Sequence, residues 1–484
     1  MRLHTSRWGL VGKVDNVDNV DNVTNVINLT NVTNVINVTN AMTKPRLLLI
    51  SLGRLTFEAD LGARLAAEAA ARLAARDDID LIRHEPLVIE APDAEAAIAA
   101  IRAADPDGVI LLNATFALGI LAQAIARAID QPILLWAFTE PAEQTGKLRL
   151  NSLVGAHVNA SNLFKNGRRA STLYAAGDDP AAAESIARFG RVAALARALR
   201  RAKIARIGGY APGFDNLNVT PAALKAAIGT DLVDIELGRL VTVARGRSED
   251  APNAAADFDD IAELKPTQVE KYNALVAGIE DLRAEGGYDA VTIKCWGDLA
   301  EQYGIAGCGA ASWLNGHDRI VACEGDVNGA LSLMIARGLS DRPGFLTDIV
   351  SVDAAANTAL LWHIGCAGTC LAAPGQTRKL FSHFAAGKGV TAGFTLAPGP
   401  ITLLRLGDDG HGAFRLLAAA GDCLPMDLTI RGTIARVRFA ASAQGFLSEL
   451  LDKGWEHHLV MAYGDLRPDL ALLAQTLNVP LTVL

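Results

Sequence analysis

Arg46-Leu47-Leu48-Leu49-Ile50-Ser51-Leu52-Gly53-Arg54 is the stretch that decides the class of this chain. Its apolar run shows no alternation, so a strand built from it must be covered on both faces, as in a parallel sheet flanked by helices. An Ala/Leu/Arg pattern with helical spacing follows over residues 60–75. The unit then recurs, with further buried strands predicted at 107–113 and 132–136. Ligands of such sheets sit beyond the carboxyl ends of the strands. That rule puts Arg54, Asn113 and the run Trp136-Ala137-Phe138-Thr139-Glu140-Pro141 on the functional rim.

A second unit of this kind begins near Ala202. Arg206-Ile207-Gly208-Gly209-Tyr210 ends a strand on a glycine pair, but the third glycine and immediate helix of a dinucleotide fingerprint are missing. A strand over 289–296 carries Lys294 near its tip, and Arg319-Ile320-Val321-Ala322-Cys323 leads directly into Glu324. Past Pro343 the pattern changes to short strands separated by glycine and proline, at 357–363, 389–396, 401–406, 414–419 and 432–439. Such spacing reads as an antiparallel barrel or sandwich. A helix over 465–477 and a strand over 479–484 close the chain. The predicted organisation is a low-complexity extension (1–41), two doubly wound α/β domains (42–190 and 191–343) and a mostly antiparallel β domain (344–484).

Composition is consistent with this plan. A chain of 484 residues fits about three domains, and 50% apolar residues are enough to fill large cores. The net charge of −8 excludes the basic footprint of a nucleic-acid binder. No apolar run is long enough to span a bilayer, and no signal peptide is recognisable, so a cytoplasmic protein is expected. The six cysteines lack the paired spacing of a zinc site and read as free thiols, Cys366 and Cys370 included. Residues 14–40 repeat Asn-Val-Asp, Asn-Val-Thr and Asn-Val-Ile with a period of three, which matches neither helix nor strand. They are expected to be disordered, with Met42 as the natural start of the folded chain.

The chemistry-bearing residues lie later. Glu324, in Cys323-Glu324-Gly325-Asp326-Val327-Asn328-Gly329, precedes Asp348, in Phe345-Leu346-Thr347-Asp348, by 24 positions, and His457-His458 stands near the C-terminus. Two acids and an imidazole from separate elements suit a hard-to-borderline divalent cation with open positions. The carboxylates can also move a proton, a combination that fits sugar chemistry through an enediol. Asp326 reads as a turn or helix-cap residue. His363, inside an apolar strand, is either a satisfied core histidine or a further group near the metal. Lys294 is positioned to bond sugar hydroxyls, and Trp136 either stacks on a sugar face or only packs the rim. His383 and Lys388, in a loop before a strand, read first as surface residues and second as substrate contacts. The basic clusters Lys147/Arg149 and Lys165/Arg168/Arg169 are solvated faces or receptors for an anionic tail.

The segment Ala322-Cys-Glu-Gly-Asp-Val-Asn-Gly-Ala-Leu331, with Asp348 at its fixed distance, resembles the metal-site region of the L-fucose isomerase and L-arabinose isomerase superfamily. The run His457-His458-Leu-Val-Met-Ala-Tyr463-Gly464-Asp465 is similar to its histidine-ligand segment, and register against Tyr463-Gly464 favours His458. The resemblance covers the chain from about Arg46 to Leu484 and implies two Rossmann-like domains followed by a C-terminal β-barrel. It implies a metal-dependent aldose–ketose isomerase, an intramolecular oxidoreductase. Glu324 and Asp348 would be metal-binding and catalytic carboxylates, with His458 as imidazole ligand and Mn²⁺ as the usual metal. Which carboxylate is the base stays open at this level. The resemblance further implies a homo-oligomer in which Arg54 reaches a neighbour's site. The expected substrate is a pentose or hexose of fucose or arabinose type; the alternative is an anionic sugar such as sulfoquinovose. A non-catalytic sugar-binding protein is the rival from another class.

Because the period-three repeat has no apolar face to bury, deleting residues 1–41 is expected to change neither melting temperature nor specific activity. Differential scanning fluorimetry and a turnover assay on the full-length and Met42-start chains check this.

Overall fold

The computed structural model describes residues 44–142, 146–383 and 388–484; the period-three repeat lies outside the described residues. The first sheet is parallel, with order β2-β1-β3-β4-β5. Its strands are β1 (Arg46–Leu52), β2 (Asp80–Arg83), β3 (Gly108–Asn113), β4 (Ile133–Ala137) and β5 (Ser171–Tyr174). The unalternating run of β1 has the reason given above. Leu47 and Leu49 enter one apolar core, while Leu48, Ile50 and Leu52 enter another on the opposite face. Each face is covered by helices, and period-2 geometry sends successive leucines to opposite sides.

The second sheet is also parallel, in the order β7-β6-β8-β9, from β6 (Lys203–Ile207), β7 (Asp231–Ile235), β8 (Ala290–Ile293) and β9 (Ile320–Cys323). The strand expected over 289–296 stops at Ile293, and a wide π-helical turn, Cys295–Leu299, begins just past Lys294.

The third sheet resolves the choice between barrel and sandwich. Six antiparallel strands close on themselves: β10 (Phe345–Asp353), β11 (Thr358–His363), β16 (Thr433–Phe439), β15 (Phe414–Leu424), β14 (Gly399–Asp408) and β17 (Leu459–Tyr463), which pairs back to β10. Three strands flank this barrel: β13 (Val390–Thr395) with β12 (Lys379–Ser382) beside it, and β18 (Leu481–Val483). The protein is thus α/β, with two parallel-sheet Rossmann-like units and a closed C-terminal antiparallel barrel. No helix among the described residues is long and apolar enough to cross a membrane.

One continuous apolar core joins the second sheet to the barrel. The joint is the helix Val327–Leu339, which leaves β9 after a three-residue turn and is buried on nearly every side. Its Ser332 hydroxyl accepts from the Leu406 amide of β14 at 2.9 Å and donates to the Asn328 carbonyl at 2.7 Å, docking the helix on the barrel.

The turn before that helix is sterically demanding. Glu324 and Gly325 both adopt positive φ, +62° and +79°. A Cβ on Gly325 would lie 2.2 Å from the Gly209 carbonyl oxygen and 2.5 Å from Tyr210 Cα. Gly325 therefore lets two backbones touch, while Gly208 and Gly209 after β6 serve their own positive φ, +83° and +79°. Gly325→Ala is expected to cost about 2–5 kcal/mol of stability, from left-handed strain plus a backbone clash, and to displace Glu324. Urea denaturation read alongside turnover checks both effects.

Candidate active site

Glu324 follows the last residue of β9, at the carboxyl end of a parallel sheet, where such sheets present ligands. The turn that carries it is pinned from both sides. The Ala211 amide donates to the Glu324 carbonyl at 3.0 Å, and the Gly325 amide donates to the Ile293 carbonyl at 3.2 Å. Asp348 lies on β10 and His458 immediately precedes β17. These strands pair antiparallel, Phe345 with Met461, Leu346 with Val460 and Thr347 with Leu459, so Asp348 and His458 fall at the next rung. His363 ends β11, beside the Asp348–Trp362 pair. The barrel register thus brings three of the expected residues together, and the β9 turn brings Glu324 to meet them.

His458 is fully buried. Its Nδ1 lies 2.9 Å from Asp326 Oδ2, and its Nε2 lies 3.6 Å from Glu324 Oε2 and 3.9 Å from Asp348 Oδ1. With Nδ1–H donating to Asp326, the Nε2 lone pair faces the two carboxylates, and this atom has no hydrogen-bond partner. An orphaned buried nitrogen facing two carboxylates fits a hard-to-borderline divalent cation. His363 stands 5.4 Å from His458 between ring centroids and completes a group with Asp348 and His458 close enough to share one ion.

His457 is held differently. Asn216 Nδ2 lies 3.1 Å from its Nδ1, and its Nε2 lies 3.2 Å from Glu324 Oε2. An amide donor on Nδ1 leaves the proton on Nε2, so His457 donates to Glu324 and orients it. The imidazole with the free lone pair is His458.

Asp326 caps the helix Val327–Leu339 through the Gly329 amide at 2.7 Å, which agrees with its expected capping role. It does more than cap. Arg405 of β14, fully buried, grips it with Nη1–Oδ2 at 2.6 Å and Nη2–Oδ1 at 2.9 Å. Glu456 flanks the guanidinium at 3.5 Å, and Asn328 bridges Glu456 and Asp408. The sequence held a signal for this pair: a lone arginine inside the apolar strand Ile401-Thr402-Leu403-Leu404-Arg405-Leu406 must find a buried anion.

The charges follow from these contacts. Burial disfavours the carboxylate of Asp326, yet Arg405 and His458 outweigh burial and hold it well below the usual range. Burial likewise opposes charge on His458, but the bond to Asp326 and the carboxylates Asp348 and Glu324 hold its pKa up to about 8. Burial pushes His363 down to about 4, with His458 adding to the effect. Burial raises the Asp348 carboxyl above its ordinary value, against the pull of His458 and His457.

A cavity of about 200 Å³ opens beside these groups, lined by Glu324, Asp348, His363, Trp362, Phe214 and His383 among others. His383, expected at the surface, is instead 3% exposed, because the end of β12 folds over the cavity. Lys388 is exposed. Lys294 pairs with Asp298 at 2.6 Å and lies beside the cavity rather than in its lining. Trp136, expected to stack on a sugar, is a core residue. It is 1% exposed, packs edge-on against Phe138 and donates its indole N–H to the Ala175 carbonyl at 3.1 Å. Asn113 is buried too, donating to the Trp136 carbonyl. Arg54 is exposed at the tip of β1. Of the basic clusters, Arg149 is paired with Glu58 at 2.9 Å, and Arg168 donates to the Gln131 carbonyl.

Known proteins resemble this chain along most of its length. Residues 49–200 match the family described as fucose/sulfoquinovose isomerase, N-terminal domain, and residues 369–484 match L-fucose isomerase, C-terminal domain. The chain is 32% identical over 383 residues to a sulfoquinovose isomerase of Clostridium sp. (strain MSTE9), covering 77% of this chain and 85% of the relative. It is 27% identical over 449 residues to one of Priestia megaterium, covering 90% and 98%. A periplasmic solute-binding protein of an ABC transporter from Actinobacillus succinogenes, with bound D-allose, aligns at 17% identity over 54% of this chain and 82% of its own. Its TM-score of 0.16 is too low to bear on fold or function.

Replacing one partner of the Asp326–Arg405 pair, as in Asp326→Asn or Arg405→Met, is expected to cost about 3–5 kcal/mol by stranding the other charge. The double variant Asp326→Leu/Arg405→Met is expected to recover much of that stability. It should still bind metal roughly 10- to 100-fold more weakly than the parent, because His458 has lost its orienting carboxylate. Chemical denaturation and metal titration of the three variants separate the two roles.

Proposed function

We propose that this chain, which belongs to the fucose/sulfoquinovose isomerase family, acts as an aldose–ketose isomerase on sulfoquinovose, a hexose ending in a sulfonate. That the protein is an aldose–ketose isomerase follows from its family. The choice of an anionic sugar over the fucose- or arabinose-like sugar first expected rests on its relatives, which carry the name sulfoquinovose isomerase. The observation that carries the chemistry is the approach of His458 Nε2, which has no hydrogen-bond partner, to within 3.6 and 3.9 Å of Glu324 and Asp348, two carboxylates that line one cavity.

Glu324, Asp348 and His458 would hold the cation, with His363 as a further neighbour; Mn²⁺ is our choice for a site of two oxygens and one nitrogen. When bound, the cation supplies positive charge against the negative charge that develops on the sugar oxygens. The chain's own groups move the proton. Asp348 is our choice of base: burial raises its carboxyl, and Glu324 is occupied as the acceptor from His457. In this reading Asp348 takes the proton from C2, the electron pair forms the C1–C2 double bond, and a proton returns to C1. The hydroxyl proton passes from O2 to O1, so the aldose becomes a ketose without external oxidant. The apolar part of the lining, with Phe214, Ile364 and Trp362, keeps bulk water from the enediol.

An anionic tail calls for a cation, and among the described residues no lysine or arginine lines the cavity. Arg54 has no carboxylate within ion-pair distance among the described residues. We propose that it serves the site of a neighbouring copy in a homo-oligomer. A reducing, cytoplasmic setting belongs to the same reading, supported by six unpaired cysteines.

Incubation with Mn²⁺ and a panel of sulfoquinovose, glucose, fucose and arabinose, read by NMR, is expected to give ketose from the sulfonated sugar in preference to the others. Equal turnover of a neutral sugar would return the substrate to the fucose type, and binding without turnover would favour a sugar-binding protein. Glu324→Gln and Asp348→Asn are each expected to lose roughly 10²–10⁴ in kcat. In mixed oligomers of Arg54→Ala and Glu324→Gln chains, partial recovery of activity is expected if Arg54 acts across an interface, and none if it acts within its own chain.

The site also sets a pH dependence. His458 stays protonated up to about pH 8 in the free chain, and a cation must displace that proton. Mn²⁺ affinity is therefore expected to rise with pH up to about 8 and level off above it, as measured by calorimetry at fixed ionic strength.

A further inference from the structure

Three of the six cysteines, unremarkable in sequence, are brought together by the fold. Cys295 starts the turn after β8, Cys308 is the first residue of the helix Cys308–Gly316, and Cys323 ends β9. Their sulfurs all lie within 4.8 Å of one another, in a group able to share one ion. All three are buried, at 8%, 2% and 3% exposure, and all three line the same cavity as Glu324 and Asp348. Cys366 does not join them, for its Sγ donates to the Leu346 carbonyl at 3.3 Å, and Cys370 is exposed.

We propose that Cys295, Cys308 and Cys323 form a second metal site, selective for a soft or borderline d¹⁰ cation such as Zn²⁺ or Cd²⁺, whose occupancy blocks the isomerase cavity. The sulfurs come from three separate backbone segments, so the site is rigid and does not depend on one flexible loop. Tetrahedral thiolate coordination, with metal–sulfur distances of about 2.3 Å, needs sulfurs about 3.8 Å apart, a change of an ångström or less from a group already within 4.8 Å. The fourth position faces the cavity and is open to water or an exogenous ligand. Each ligating thiol gives its proton to solvent, so uptake of the cation releases protons and changes no oxidation state. The two sites sort by ligand class: oxygen and imidazole donors suit Mn²⁺, whereas a set of sulfur donors suits Cd²⁺ and rejects Mn²⁺. The inference holds for this chain whichever sugar it isomerises.

The test is titration of the Mn²⁺-saturated enzyme with Cd²⁺, reading thiolate-to-cadmium charge-transfer absorption, with Cd²⁺ per chain counted by equilibrium dialysis. One tightly bound Cd²⁺ with that absorption is expected, together with loss of turnover reversed by a chelator. Cys308→Ser and Cys323→Ser are each expected to weaken Cd²⁺ binding by at least tenfold. Cys308→Ala and Cys323→Ala repeat the test should a buried serine fail to fold. Glu324→Gln, which disables the oxygen-rich site, is expected to keep the absorption. The proposal is overturned if no thiolate band appears, if the band survives the cysteine replacements, or if it vanishes with Glu324→Gln. It is also overturned if mass spectrometry finds two of these cysteines joined as a disulfide in the protein purified from cells.

Discussion

The buried carboxylate of Asp326 is the constraint on which the rest of the site depends. It caps the helix joining the second sheet to the barrel, receives both terminal nitrogens of Arg405 from β14, and accepts from His458 ahead of β17. Three elements that are far apart in sequence are therefore fixed to one pair of oxygen atoms. A buried ion pair is a weak source of stability, because desolvation cancels most of the attraction. What it supplies is specificity: the charge has no acceptable position other than the one that aligns sheet, helix and barrel. The outcome is an imidazole held in one orientation, Nδ1 on Asp326 and Nε2 toward Glu324 and Asp348.

This arrangement also explains why adjacent histidines differ in role. His457 and His458 share a dipeptide, yet one has its Nδ1 engaged by an amide and the other by a carboxylate. The partner of the remote nitrogen decides which ring offers a proton and which offers a lone pair. Selection between them is thus made by Asn216 and Asp326, each more than a hundred residues away in sequence.

Much of the fold was legible because its signals are local. Unalternating apolar runs mark the parallel strands, and the change to short glycine-bounded strands after Pro343 marks the barrel. Glu324, Asp348, His363 and His458 are legible through the resemblance and their spacing; Glu324, Asp348 and His363 line one cavity, and His458 Nε2 lies 3.6 and 3.9 Å from the two carboxylates. The misreadings share a cause. Trp136 was placed on the rim because it ends a strand, but rim position does not fix side-chain direction, and its indole found the Ala175 carbonyl in the core. His383 was read as a surface residue from its loop-like sequence, although the chain there turns inward. Arg405 and the thiol group depend on contacts across 79 residues and 28 residues respectively, and no periodicity reports such distances.

The backbone of Glu324 carries an evolutionary consequence. A glutamate at φ +62° occupies a conformation that suits glycine, and such residues are held against a cost of about 1–3 kcal/mol. Stability alone would replace it, and the role proposed for its carboxylate gives a reason to keep it. In any descendant of this chain released from selection for turnover, position 324 should be among the first to drift, and it should drift toward glycine. A glycine there, in an otherwise intact cavity, would be the mark of a copy that has kept the fold and given up the reaction.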